Sequence, residues 1–551
     1  MSIHNWFTSA FTQLQQDTET SFPLRGRLVF FLSIGYADQR ASVIPFRSAS
    51  WKAAKRDIEA YLTSSMADKP VSIKVDVVTN VEPIDGAAFL TLLTKTKKNY
   101  MRRGISFDAD FHHAFMEQEV LGNAFIRFSK HHNRAYIAEQ NVHHYINKHR
   151  PETKPLDFQN VHAVYLFDTQ GVFCDEHGPV TLLTGAYDNG RRNERLTEKS
   201  VEQLVQTGQQ KLCEMLQESG EFQYGMFAPF STPINHYNML RHASSLYALA
   251  ESCEVHRDPE ALNAVKRGLD FLLQERTVSH PHGLFVRDGT NPDTYEYKLG
   301  TNAAAVLALT KYVEVAGIKG NDGYVEAAQK LAMAMEFFQL PDGSFQHVFE
   351  HETFELKEAF RIVYYEGEAA FAWMRLYQLD QDDRWLNNVR SAFDHFIAND
   401  YWKHHDHWLS YCTNELVKIV PDRGYLKFGL QNAAGKLDFM YERKTTYPTF
   451  LELLLATNEL IQRVKESEHP DLLEQIDEDA VIQTIHHRAD YQRNGYFYPE
   501  IAMYMKHPDT LTGGFFIRHH SFRMRIDDIE HYISGYCGYI NILKRAGVVI
   551  S

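Results

Sequence analysis

Between Arg361 and Ile397 the apolar positions fall into two helical stripes separated by one polar turn. Ala369, Ala370, Trp373, Leu376 and Tyr377 line the first stripe, and Trp385, Leu386, Val389, Phe393 and Phe396 line the second. Asp382 and Asp383 in the turn suit a helix start, so the stretch predicts an antiparallel helix pair. The same form recurs upstream, as MLRHASSLYALAES with DPEALNAVKRGLDFLLQE and as TNAAAVLALTKYVEVAG with NDGYVEAAQKLAMAMEFFQ. Taking Asp258, Asp322 and Asp383 as equivalent helix starts gives a repeat of about 61 to 64 residues, which suits a helix pair with a long loop. A closed ring of hairpins is the economical architecture. EKSVEQLVQTGQQKLCEMLQES reads as an outer helix, so each pair runs outer then inner, and the inner helices begin near Tyr237, Leu299, Tyr365, Thr446 and Asp527. Five pairs are visible. A sixth would have to lie in the irregular segment between Asp400 and Tyr447.

The chain before about residue 190 has a different pattern. LRGRLVFFLSIGYADQRASVIPF predicts a β-hairpin around GYADQ, SASWKAAKRDIEAYLTSS a serine-capped amphipathic helix, and VSIKVDVVTNV an alternating strand with one wet face. Two helices follow in the span from Gly86 to Phe128, joined by a polar segment carrying Arg102, Arg103, Asp108 and Asp110. HAVYLFDTQGVFCDEHGPVTLLTG then supplies two further strands. GAYDNGRRNERLTEKS is a surface linker whose Arg191, Arg192 and Arg195 are suited to receive a carboxylate or phosphate. The expected fold class is therefore an α+β N-terminal domain, residues 1–190, followed by an all-α toroid of five to six helical hairpins, residues 191–551.

Composition narrows the function. A formal net charge of −14 argues against general affinity for nucleic acid or anionic membranes, while leaving room for a local basic cleft. Aromatic residues make up 13% of the chain, enough both to fill cores and to line a saccharide cleft. The five cysteines, Cys174, Cys213, Cys253, Cys412 and Cys537, form no CxxC pair, so neither a disulfide framework nor a cysteine zinc site is expected. There is no signal-peptide pattern at the start and no apolar run long enough for a membrane span, which makes the cytoplasm the expected location. No phosphate loop, GxGxxG after a strand, HExxH or GxSxG is present. No cofactor or metal is expected; HHDH at residues 404–407 lacks a partnered spacing elsewhere.

In a ring of hairpins the loops entering the inner helices meet at one mouth. In YYEGE, Glu366 and Glu368 stand at a helix start, where unpaired amides favour carboxylates, and Gly367 between them permits close approach of backbone or ligand. RIDDIEHY offers Asp527, Asp528, Glu530 and His531 as further acid or base groups, or part of a metal site, with Arg523 and Arg525 just before them and Asp527 sharing a helix face with His531. Tyr237, Arg241, His242, Glu296, Tyr297, Tyr365 and Arg525 are the expected substrate-binding residues at the entries. LPDGSFQH reads as a tight turn after an outer helix.

YYEGEAAFAWMRLYQLDQDDRWLNNVRSAF and LPDGSFQHVF give residues from about 198 onward a resemblance to the (α/α) toroid enzymes, the group of six-hairpin glycosidases, unsaturated glucuronyl hydrolases, polysaccharide lyases and N-acylglucosamine epimerases. The resemblance implies a carbohydrate-active enzyme, first of all a glycoside hydrolase acting on an oligo- or polysaccharide, with Glu366 or Glu368 paired with Asp527 or Asp528 across the scissile bond. The alternatives are an epimerase or lyase that moves a proton with Tyr or His while Arg holds a carboxylate, and a non-catalytic toroid that binds a saccharide or protein in envelope or capsule assembly. Any protein partner is expected to dock through the N-terminal domain.

Overall fold

The structure is a computed structural model that describes residues 2–18, 24–64, 69–129, 131, 134–319 and 323–549. The chain forms two compact units, one made of Met1–Arg195, Met226–Pro233 and Arg493–Met524, the other of Leu196–Gly225, Ile234–Gln492 and Arg525–Ser551.

The first unit is built on a curled antiparallel sheet in the order Ser42–Ser48, Leu28–Gly35, Ser72–Asp85, Ala163–Asp175, Gly104–Ser106, Ala114–Phe115, with Gly178–Thr181 also paired to Ala163–Asp175. The hairpin around GYADQ and the helix Trp51–Ser64 form as the pattern predicts. Both faces of the sheet are covered. Phe30, Leu32, Ile34, Val75 and Val77 pack under the helices Ile3–Asp17 and Trp51–Ser64, while Val29, Phe31, Val78 and Phe167 pack with Met503 and Tyr504. The strand expected to have one wet face is therefore buried on both sides from Ser72 to Val78. Its polar pair, Lys74 and Asp76, is accommodated as an internal ion pair at 2.8 Å. The charged join is less open than its composition implies: Arg102 donates to Glu117 at 2.5 Å, and Gly104–Ser106 and Ala114–Phe115 add two short strands. Arg192 does receive a carboxylate in two-pronged fashion, that of Glu500, at 2.7 and 3.0 Å.

The second unit is a closed ring of six hairpins. The outer and inner helices are, pair by pair, Glu198–Met215 and Met239–Val255, Pro259–Glu275 and Leu299–Ala316, Gly323–Glu336 and Tyr364–Asp380, Asp383–Ala398 and His407–Val417, Arg423–Ala434 and Thr449–Glu466, Glu478–Gln492 and Ile526–Val549. Each inner helix packs on the next, and the sixth packs back on the first. The sequence pattern separates the two layers. Leu299–Ala316, with its AAAVLAL run, is buried along almost its whole length, whereas the outer Pro259–Glu275 buries only one stripe, Ala261, Ala264, Val265, Gly268, Leu269 and Leu272. Asp258 and Asp382 cap their outer helices through side-chain oxygens, while Asp322 lies outside the described residues.

The two ring helices hidden between Asp400 and Tyr447 are His407–Val417, the inner member of the fourth pair and only 11 residues long, and Arg423–Ala434, the outer member of the fifth. The start of the former, HHDH, has a polar pattern that conceals an inner helix.

LPDG is the predicted turn. Gly343 has φ +83, and a Cβ there would lie 2.1 Å from the Ser391 carbonyl oxygen. Gly343→Ala is expected to lower unfolding stability by about 1–3 kcal/mol through backbone strain and overpacking, read from the urea midpoint; an unchanged midpoint would show that the turn can yield.

Candidate active site

The charged residues of the second unit gather where the inner helices begin. His531, in the first turns of the sixth inner helix, donates from Nδ1 to Glu452 Oε1 at 2.9 Å. Glu452, on the fifth inner helix, accepts the Tyr411 hydroxyl on its other oxygen at 3.2 Å. Both carboxylate oxygens are thus satisfied, and the imidazole is held in one orientation. Glu530 stands 3.9 Å from His531 Nδ1 and accepts the Ser244 hydroxyl at 2.6 Å. Burial works against a charged His531 ring, but the Glu530 and Glu452 carboxylates overcome it and raise His531 to about 10. The side chain is 23% exposed, so a ligand can reach it.

His407 opens the fourth inner helix, and its ring centre is 5.4 Å from that of His531. It is buried, and burial with His531 beside it lowers His407 to about 4, although Glu452 pulls the other way. Its Nε2 has no protein hydrogen-bond partner among the described residues. At neutral pH one imidazole is therefore charged and its neighbour neutral. Donor atoms of His407, Glu452 and His531 lie within 4.8 Å of one another, a set that could hold a divalent transition metal. Both Glu452 oxygens accept hydrogen bonds within this group.

Glu366 and Glu368 lie beside this group on the third inner helix, both buried. Glu366 Oε1 accepts the Tyr401 hydroxyl at 3.2 Å and faces His347 Nε2 at 3.4 Å. Burial, reinforced by the Asp406 and Glu530 carboxylates, raises Glu368 well above the usual carboxylate range. Burial raises Asp406 likewise, against the pull of the Trp408 and Leu409 amides. Gly367 brings these helices together: a Cβ there would lie 2.2 Å from Asp406 Oδ2 and 3.1 Å from the Leu409 nitrogen. The approach it permits is that of backbone.

The remaining sequence candidates have internal partners. Asp527 accepts Arg241 Nε at 2.8 Å and Arg525 Nη2 at 2.6 Å, so the carboxylate and both guanidinium groups are engaged with one another. Asp528 is buried. His242 exchanges a hydrogen bond with the Tyr237 hydroxyl at 2.8 Å and donates from Nε2 to the Gly268 carbonyl at 3.0 Å, while that hydroxyl accepts the Phe222 amide at 2.9 Å. Glu296 is bound by Arg361 and Lys298; desolvation opposes them, yet they hold its carboxyl at about 2. Tyr297 lies within the aromatic packing of Phe285 and Phe354. Tyr365 is buried against His347, with ring centres 5.3 Å apart. His407, set aside with HHDH for want of a partnered spacing, and Tyr411 and Glu452 escape the sequence pattern. The first two lie on the concealed inner helix, and Glu452 stands in an apolar run, TFLELLL.

No protein-family model matches the chain, and no curated protein matches its sequence. Solved structures do resemble it. A D-mannose isomerase is similar over 63% of this chain and 98% of its own, with TM-score 0.48 and 10% identity. A cellobiose 2-epimerase from Bacillus thermoamylovorans covers 63% of this chain and 99% of its own, with TM-score 0.47 and 13% identity. A GH76 α-mannanase from Bacteroides thetaiotaomicron covers 62% and 97%, with TM-score 0.42 and 10% identity. The helical unit is a six-hairpin (α/α) toroid. At these identities and TM-scores the likeness assigns this chain no role.

Proposed function

We propose that the chain is a carbohydrate-active enzyme that moves a proton on its sugar substrate, as an epimerase or isomerase does, with His407 and His531 as base and acid. The observation that carries this reading is the pair of imidazoles 5.4 Å apart whose surroundings drive their proton affinities in opposite directions. Neutral His407 can take a proton from the carbon beside a sugar carbonyl. The His531 imidazolium, oriented by Glu452, can deliver one to the resulting enediolate, so protons balance over the turnover. The resemblance of the ring motifs to toroid enzymes supports a saccharide substrate.

The test is incubation of reducing mono- and oligosaccharides in D2O, followed by NMR. Deuterium at the carbon beside the carbonyl, together with a new epimer or ketose, supports the reading; product formation undiminished in His531→Asn sinks it. Hydrolysis is the second reading, favoured by one observation. In that reading the proton of the Glu530–His531 pair rests on the carboxyl, not the ring: burial, opposed by His531 and the Ser244 hydrogen bond, raises Glu530 to about 8, the state a general acid needs, three residues from the arginine-bound Asp527. Release of new reducing ends would identify it.

The pH profile is a further check. His407 must be neutral and His531 charged, so kcat/KM is expected to plateau between about 4 and about 10. In Glu452→Gln a charge that raises His531 is gone. Its alkaline limb should move to lower pH, and an unmoved limb would assign that limb to another group.

A further inference from the structure

The arginines at the ring mouth differ in what they hold. Arg241 and Arg525 are bound to Asp527, and Arg361 is bound to Glu296 and Glu358. Arg443, on the loop entering the fifth inner helix, makes no ion pair among the described residues. Its Nε donates to Thr445 Oγ1 at 2.9 Å, and its two terminal nitrogens have no protein partner among the described residues. The guanidinium is nevertheless held in place. It stacks on Phe439 and Tyr447, with its central carbon 5.1 Å from each ring centre. Phe439 is 47% exposed, and a second cation, Lys436, lies over the same ring at 5.2 Å.

The loop beneath Arg443 is rigidly built. Buried Arg488 donates to the carbonyls of Arg443 and Thr445 at 2.8 Å each and to that of Thr446. The Tyr491 hydroxyl donates to the Lys444 carbonyl at 2.7 Å, and Gln492 to that of Pro448 at 3.1 Å. The loop thus turns its carbonyls inward, with Arg443 half-buried beside the exposed Lys444. Tyr447 sits at φ +44, a conformation that costs a tyrosine energy, and its ring is fixed against Phe450 at 4.3 Å. On its other side the Tyr447 hydroxyl meets that of Tyr364, whose ring centre is 5.9 Å from His407. Two aromatic rings therefore connect the uncommitted guanidinium to the imidazole pair.

We infer that Arg443, clamped between Phe439 and Tyr447, is the receptor for an oxyanion on the saccharide, a uronate carboxylate or a sugar phosphate. This deepens the reading of the histidine pair by naming its substrate class. A planar guanidinium with both terminal nitrogens free matches a carboxylate or phosphate in two-pronged fashion. Stacking and the Thr445 bond order the side chain before the ligand arrives, so little rotamer freedom is lost on binding. The exposed Phe439 and Tyr441 rings extend this surface outward, at 47% and 46% exposure, for the apolar faces of further sugar units.

The experiment is calorimetric titration of the full chain with four probes of one length: a neutral trisaccharide and its glucuronate-, galacturonate- and phosphate-bearing counterparts. At least one anionic probe is expected to bind about tenfold or more tighter than the neutral one. In Arg443→Gln that advantage should vanish while neutral affinity stays, and Arg443→Lys, which keeps the charge without the fork, should retain only part of it. Preference for the uronates identifies a carboxylate ligand; preference for the phosphate probe identifies a sugar phosphate. Equal affinity for all four, no binding of any anionic probe, or a preference intact in Arg443→Gln overturns the inference. Thermal midpoints of both variants verify folding. Binding is read here without turnover, so anion preference in a protein that converts none of these sugars defeats the proton-transfer reading alone. Conversion without anion preference defeats only the receptor.

Discussion

Replacing His531 with asparagine is expected to lower turnover about 10³-fold, the range of a lost general acid. Asparagine can still donate a hydrogen bond to Glu452, so the 2.9 Å contact that orients the site has a substitute and the fold should survive. What the variant lacks is a proton to give. The imidazolium exists because Glu530 and Glu452 together overcome the cost of burying its charge. Neither carboxylate can do the same for an amide. His407→Asn should cost a similar factor from the opposite side, since it removes the neutral nitrogen, and the double variant should lose little more than either single one because the two act as a unit. Initial rates with the sugar identified by isotope exchange, alongside thermal midpoints, decide the matter. If His531→Asn keeps more than about a tenth of wild-type turnover, the histidine pair is not the acid–base group.

The largest stability effect is expected in the first unit, at Glu119→Ala. Glu119 is buried and accepts Arg150 Nη2 at 2.5 Å, the Tyr145 hydroxyl at 2.6 Å and the Met116 amide at 2.9 Å. Arg150 is buried as well; its other terminal nitrogen donates to the Ala114 carbonyl at 2.6 Å, and its guanidinium lies over the Phe115 ring. Truncating the carboxylate strands that charge without its counter-ion, strips the tyrosine of its acceptor and opens the start of the helix Glu117–Gly122. Breaking a buried pair by removing one partner costs about 3–5 kcal/mol. Replacing both residues, as in Glu119→Leu with Arg150→Met, should recover part of the loss, because no lone charge then stays inside. Chemical denaturation of the three proteins tests this. A Glu119→Ala protein within about 1 kcal/mol of wild type would show that Arg150 finds water instead.

Much of the architecture follows from local pattern. Apolar residues at helical spacing with aspartate caps, as in DPEALNAVKRGLDFLLQE, specify an outer helix wherever they occur, because one stripe must be buried and the cap pays its first amides. AAAVLAL has no polar face and so has to be an inner helix. Five hairpins and their outer-then-inner order are legible on those grounds, and so is the mouth as the meeting place of Glu366, Glu368, Asp527 and His531. The fourth inner helix was not legible. HHDHWLSYCTNELV buries its polar residues against neighbouring helices, as Ser410 accepts Asn432 and Asn414 donates to the Ala456 carbonyl, and those partners are supplied only when the ring closes. Lys74 and Asp76 pose the same problem in the sheet, where alternation implies a wet face and a second layer of chain covers it.

The chemistry divides along the same line. Residue type alone makes the carboxylates and histidines of RIDDIEHY candidates, but a proton affinity is a property of surroundings. Glu452 and Glu530 raise His531, burial lowers His407, and Arg241 with Arg525 commits Asp527 to an ion pair. These contacts join residues up to 286 positions apart, as with Arg241 and Asp527, so no local window contains them. Apart from the fourth inner helix, the sequence by itself determined the inner helices of the ring and much of the outer layer, since those depend on spacing within one element. Only the tertiary structure decided which charges face each other, because closing the ring is what brings its six helix starts to one place.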